Sequence, residues 1–120
     1  MSEKMIINGE EYIKASDVFE PACRYEDMEY CMVRTYSAGV FAGYVESRDG
    51  KEVVLRKARR IWSWEGAASL SQLATDGTSK PESCKFPCEV DKVILTEAIE
   101  IISITAKAQL SIQEVEVWQE

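Results

Sequence analysis

The sequence predicts an α+β fold: a small, strongly bent antiparallel sheet or barrel with one or two short helices, forming a single domain over residues 1–120. Three features point there. Strand-forming residues cluster from Tyr30 to Trp64 around two turn signals. Gly43 interrupts that run, and a glycine inside a strand marks a bend or a close neighbour. Past Trp64 the apolar spacing becomes helical, with Leu70, Leu73 and Ala74 at i, i+3 and i+4. A chain of 120 residues can bury a core without disulfides or metal, which become usual only below ~40 residues.

Taken in order, "MIINGEEYIKA" reads as two short strands about Asn8-Gly9, a dipeptide suited to tight hairpins. "SDVFEPACRYEDMEY" is polar and broken by Pro21, so it reads as irregular, with one helical turn after a Ser16 cap. The centre is "YCMVRTYSAGVFAGYVESRDGKEVVLRKARRIWSW". Val33 and Thr35, then Val40, Tyr44 and Val45, then Val53, Val54 and Leu55 are strand formers. Ser37-Ala38-Gly39 separates the first two groups, and Arg48-Asp49-Gly50-Lys51 the second and third. The expectation is an antiparallel meander running on through Ala58 to Trp62, similar to a small barrel of the Sm or SH3 kind. Gly39 makes the turn and Gly43 the curve, and neither requires a ligand.

"GAASLSQLATDG" then reads as a short helix ended by Gly77, and "TSKPESCKFPCEV" as a loop with two prolines. "DKVILTEAIEIISI" carries strand residues, with Val93, Leu95, Ile99 and Ile101 on alternating positions. "TAKAQLSIQEVEVW" starts as a helix at a Thr105 cap and finishes as a strand or tail.

Composition removes several function classes. Histidine is absent, which rules out Ser-His and Cys-His nucleophile pairs, an imidazole base and His-ligated metal. No carboxylate pair stands out for acid–base work; Glu97 and Glu100 are expected at the surface, and Ser69 and Ser71 have no base partner. Cys23, Cys31, Cys84 and Cys88 include no C-x-x-C spacing, so reduced thiols are expected rather than a four-cysteine zinc site. No cofactor is expected. No apolar run approaches ~18 residues and the first residues lack a signal-peptide layout, so the expected compartment is the cytoplasm.

The net charge of −7, from 14 basic and 21 acidic residues, argues against a nucleic-acid polymer as partner. Its distribution is uneven. Arg48, Lys51, Arg56, Lys57, Arg59 and Arg60 place six cations within 13 residues of an acidic chain. A local patch of that kind suits a small anion; a solvated strand face is the alternative. Within it, "RKARRIWSWEGAA" offers guanidinium groups for phosphates and tryptophan faces for a purine. Strand alternation would set Arg60, Trp62 and Trp64 on one side, with Arg59, Ile61 and Ser63 on the other. That arrangement fits a nucleotide pocket or a core in which arginine stacks on tryptophan. Glu65-Gly66-Ala67 would open the following helix and leave its first N–H groups for a phosphate.

The motifs "RTYSAGV", "ARRIW" and "GAASLSQLA", with "PCEVDKVILTEAIEIISIT" behind them, resemble a family of small phage and prophage proteins over roughly residues 30–108. That family is similar to the first class of Thoeris anti-defence proteins, sponges that bind cyclic ADP-ribose isomers without cleaving them. Members also sequester cyclic oligonucleotides of the CBASS system at a second site. The resemblance implies a non-enzymatic anti-defence protein acting in the host cytoplasm. It also implies a homo-oligomer, a dimer or a trimer of dimers, with the ligand between subunits. The implied ligand-binding set is Arg34, Thr35, Ser37 and Gly39 from the first motif, and Arg59, Arg60 and Trp62 from the second with Trp64 two residues beyond it. A protein that inhibits a host or defence enzyme by direct contact is the alternative, since an acidic surface can cover a basic target. The C-terminal part offers only Lys107 toward an oligonucleotide site.

Overall fold

The alternating strand formers of residues 29–60 fold as the expected meander. The computed structural model describes residues 6–7, 10–11 and 20–119. Strands β1 (Ile6–Ile7) and β2 (Glu10–Glu11) pair antiparallel with Ile7 opposite Glu10, which flanks the Asn8-Gly9 step. That step, and the helical turn expected after Ser16, lie outside the described residues. Strands β3 (Glu29–Thr35), β4 (Val40–Asp49) and β5 (Glu52–Arg60) are joined by short turns. The strand residues expected over Asp91 to Ile104 fall in two strands, β6 (Glu89–Leu95) and β7 (Ala98–Ser103). Together they form a five-stranded antiparallel sheet of order β6-β5-β4-β3-β7.

That order dictates the bend. β6 and β7 occupy opposite edges but are separated in the chain by only Thr96 and Glu97. Five flat strands at ~4.8 Å spacing would put the edges roughly 19 Å apart. The three Cα steps from Leu95 to Ala98 reach at most ~11 Å. The sheet must therefore curl, and it does so at two register shifts between β4 and β5. At the first, Gly43 faces both Lys57 and Ala58, with Lys57 at φ 51°. A Cβ on Gly43 would lie 3.0 Å from Ala58 Cα, so only glycine lets the two backbones come this close. The curl brings the Ala98 N–H within 2.9 Å of the Lys51 carbonyl. Among the described residues no ladder joins β6 to β7, so the fold is a bent open sheet and not a closed barrel.

Helices α1 (Leu70–Asp76) and α2 (Ala106–Glu114) pack on the same side of the sheet. The Ser69 hydroxyl caps α1 by accepting from Gln72 N–H, and Thr105 caps α2 by accepting from Ala108 N–H. The Thr105 hydroxyl also donates to the Thr75 carbonyl at 2.6 Å, which ties the second helix to the end of the first. Leu73, Ala74, Ala108 and Ile112 bury their apolar stripes against Tyr30, Met32, Ala42 and Phe86. A smaller core of Val33, Phe41, Val53, Leu55, Ala58 and Leu95 fills the concave side. β3 feeds both, which explains why consecutive residues from Tyr30 to Val33 are all buried. Burying a side chain of the size of Phe86, Met32 or Leu55 stabilises the fold by about 1.5–3 kcal/mol each.

Candidate ligand site at the mouth of the sheet

The turn between β3 and β4 is built around one carbonyl. Gly39 O accepts from both the Thr35 N–H (3.0 Å) and the Thr35 hydroxyl (2.7 Å), while that hydroxyl accepts from Ala38 N–H at 2.9 Å. The geometry needs Gly39 at φ 98°, a region that side chains with a Cβ rarely enter. Beside it, the end of β5 is held by the Ile61 N–H donating to the Val40 carbonyl at 2.8 Å. The chain then continues by a bridge between Ser63 and Lys85. These two anchors bring "SAGV" and "RIWSW" side by side, leaving a cleft of about 240 Å³.

Four of the eight residues proposed from sequence line this cleft: Gly39, Arg60, Trp62 and Trp64. Ala38, Val40 and Ile61 also line it; the sequence marks Ala38 as turn and Val40 as a strand former, and sets Ile61 on the side opposite Arg60 and Trp62. Trp62 is 61% exposed, which excludes it from the core. Trp64 is half-buried and packs against the helix-side core. The alternation holds from Arg59 to Trp62: Arg59 and Ile61 are buried, whereas Arg60 is only partly covered and Trp62 points outward. Arg60 lies 4.5 Å from the Phe41 ring centroid, a stacking that fixes the guanidinium at the rim. Among the described residues no acidic side chain lines the cleft.

The other four have different duties. Arg59 is buried, and its guanidinium donates to the carbonyls of Pro87 (3.0 Å), Ile112 (2.9 Å) and Phe86 (3.1 Å). It pins the loop and α2 to the sheet, and burial lowers its pKa from the ordinary guanidinium value. Arg34 is exposed and pairs with Glu100 at 2.9 Å. Thr35 is spent inside the turn, and the Ser37 hydroxyl donates to Glu97 at 3.1 Å. The cationic run is therefore not one patch. Arg56 is held by Glu46 and Asp91, which raise its pKa, and Lys57 lies over the Tyr25 ring.

Gly66 does not open the helix. α1 begins at Leu70, its cap is Ser69, and the Ala68 N–H donates to Gln72 Oε1 at 2.7 Å, so the Ala68 and Gln72 amides are satisfied locally. All four cysteines are unpaired, Cys31 and Cys84 buried and Cys23 and Cys88 exposed.

A family described as a domain of unknown function, DUF6948, matches residues 28–112, well over half of the sequence. The chain belongs to the DUF6948 family. The DUF6948 span runs from just before β3 into α2, so it contains the Gly39 turn, the Arg60–Trp62 cleft and the Arg59 pin. Val117 and Trp118, which meet Phe86 at the end of the chain, lie outside it. No curated protein and no solved structure matches the chain.

Proposed function

We propose that the protein binds and sequesters, without cleaving it, a cyclic nucleotide signal of the cyclic ADP-ribose type, as an anti-defence sponge in the host cytoplasm. The observation that carries this reading is Trp62, 61% exposed beside Arg60 in a cleft floored by apolar residues. A tryptophan face takes a purine, and the adjacent guanidinium takes the phosphate. The absence of histidine from the sequence agrees with binding without chemistry. The cleft's volume of about 240 Å³ is below the ~300–1,000 Å³ usual for a small-molecule site. One subunit would thus cover only part of a nucleotide, which favours a homo-oligomer that closes over the rest.

The test is mass spectrometry of whatever heat releases from purified protein, with native mass spectrometry for the subunit count. An intact cyclic nucleotide from an oligomer supports the reading; a cleaved one contradicts it. A second reading, inhibition of a host or defence enzyme by protein contact, is favoured by Val90 and Ile94 on β6 and Ile99 and Ile101 on β7. These apolar residues are exposed on the two edge strands of the sheet. Release of no nucleotide, together with stable capture of one enzyme, would favour it.

A further inference from the structure

Arg60 borders a second and larger cleft, of about 430 Å³, on the concave side of the sheet. Its wall is apolar, made by Phe41, Pro87, Val90 and Val93, and its charged rim is Arg60 and Lys92. The wall continues the concave core through Phe41, Ala58 and Val93, so the cleft is where that core reaches solvent. Its volume falls within the ~300–1,000 Å³ of small-molecule sites.

The charges around it all favour an anion. Among the described residues no carboxylate lines the cleft. Asp91, between Val90 and Lys92 on β6, is not among the lining residues and pairs with Arg56 at 3.4 Å. Neither Arg60 nor Lys92 is ion-paired among the described residues. Arg60 lies over the Phe41 ring, which holds its guanidinium directly above the apolar wall. An acid group there would meet a cation that is already placed, while the body of the same molecule covers Phe41 and Val90.

We propose that this cleft binds a compact, soluble amphipathic anion: a flat or short apolar body bearing one carboxylate, sulfonate or phosphate. The site does not depend on the nucleotide reading. Because Arg60 borders both clefts, an acid bound in one withdraws its guanidinium from the other.

The probe is anilinonaphthalene sulfonate, with its uncharged parent phenylnaphthylamine as the matched neutral body, titrated by fluorescence into the full chain. The sulfonate is expected to saturate at one per chain and to bind about tenfold or more tightly than the neutral compound, as a charge-assisted contact requires. Lys92→Gln, at an exposed position, should weaken it several-fold, and Val90→Asp about tenfold or more. Trp62→Ala should leave it unchanged, which separates this site from the nucleotide cleft. Attaching a bulky maleimide to the exposed Cys88, also in the lining, should block the probe. That last arm needs no folded Val90 variant. Equal affinity for the charged and neutral probes, or undiminished binding after Cys88 is labelled, overturns the proposal. Near-ultraviolet circular dichroism establishes that each protein titrated is folded.

Discussion

Arg59 and Arg60 are consecutive residues of β5, yet they belong to different regions of the molecule. Arg59 points under the helices, where three backbone carbonyls from a loop and α2 hold its guanidinium. Arg60 points to the mouth of the sheet, lies over Phe41 and borders open clefts. The contrast teaches that cation density along a strand says little about cation density at a site. Alternation sends half the charges to the other face, and burial or pairing removes more. Of the six cations between Arg48 and Arg60, only Arg60 lines the Trp62 cleft.

The largest expected effects lie in the buried region. Arg59→Ala leaves the Pro87, Ile112 and Phe86 carbonyls without their charged donor and should cost at least about 3 kcal/mol in urea denaturation. Phe86→Ala, emptying a fully buried site, should cost about 3–5 kcal/mol. Arg60→Ala should change stability by less than about 1 kcal/mol, because it loses only a rim contact. Equal losses for the two arginines would break the comparison.

Legibility from sequence divides along the same line. The meander, the Thr105 cap of α2, the Gly77 end of α1 and the Gly39 turn were readable because they depend on local rules: alternation, a hydroxyl before an apolar stripe, a glycine where φ is positive. The split of residues 89–103 into strands at opposite edges was not, since both halves have strand periodicity and their placement depends on how far the sheet curls. Within the site, the sides of Arg60 and Trp62 followed from alternation. The role of Arg59 did not. Its partners are backbone carbonyls 27 to 53 residues away, which leave no mark in side-chain sequence. The burial of Phe86 in a proline-rich loop was hidden for the same reason.

Smaller effects sharpen the contrast between packed and open ground. Gly43→Val drives a side chain into Ala58 and Arg56 and should cost about 1–3 kcal/mol. Gly39→Val meets no neighbour within 4 Å and should cost only the backbone strain, about 1 kcal/mol or somewhat more. A reversed order would mean that the bend, not the turn, is the softer of the two.

Protonation provides a gentler probe of the packed region. Burial pushes the Cys31 thiol up to about 12, and burial also raises the Tyr30 phenol. A thiol that is neutral when folded keeps its full contribution below the unfolded pKa of ~8.5 and loses it as pH rises from there toward the folded value. Stability should therefore decline above about pH 8.5, and Cys31→Ala should flatten the early part of that decline. An identical alkaline profile in the variant would show that Cys31 is not among the groups responsible.

The claim that the Arg60–Trp62 cleft is a nucleotide site is tested most directly by calorimetry with cyclic ADP-ribose isomers and cyclic di- and trinucleotides. Wild type, Arg60→Ala, Trp62→Ala and Arg34→Ala would be titrated side by side, each first shown to be folded by its melting curve. Loss of a phosphate contact or of a stacked purine is worth about 1–3 kcal/mol, so Arg60→Ala and Trp62→Ala should each weaken one cyclic nucleotide about tenfold or more. Arg34→Ala, whose side chain pairs with Glu100 away from the cleft, should bind as wild type does. Failure of folded wild type to bind any compound in the panel, or undiminished binding by folded Arg60→Ala, would contradict the account.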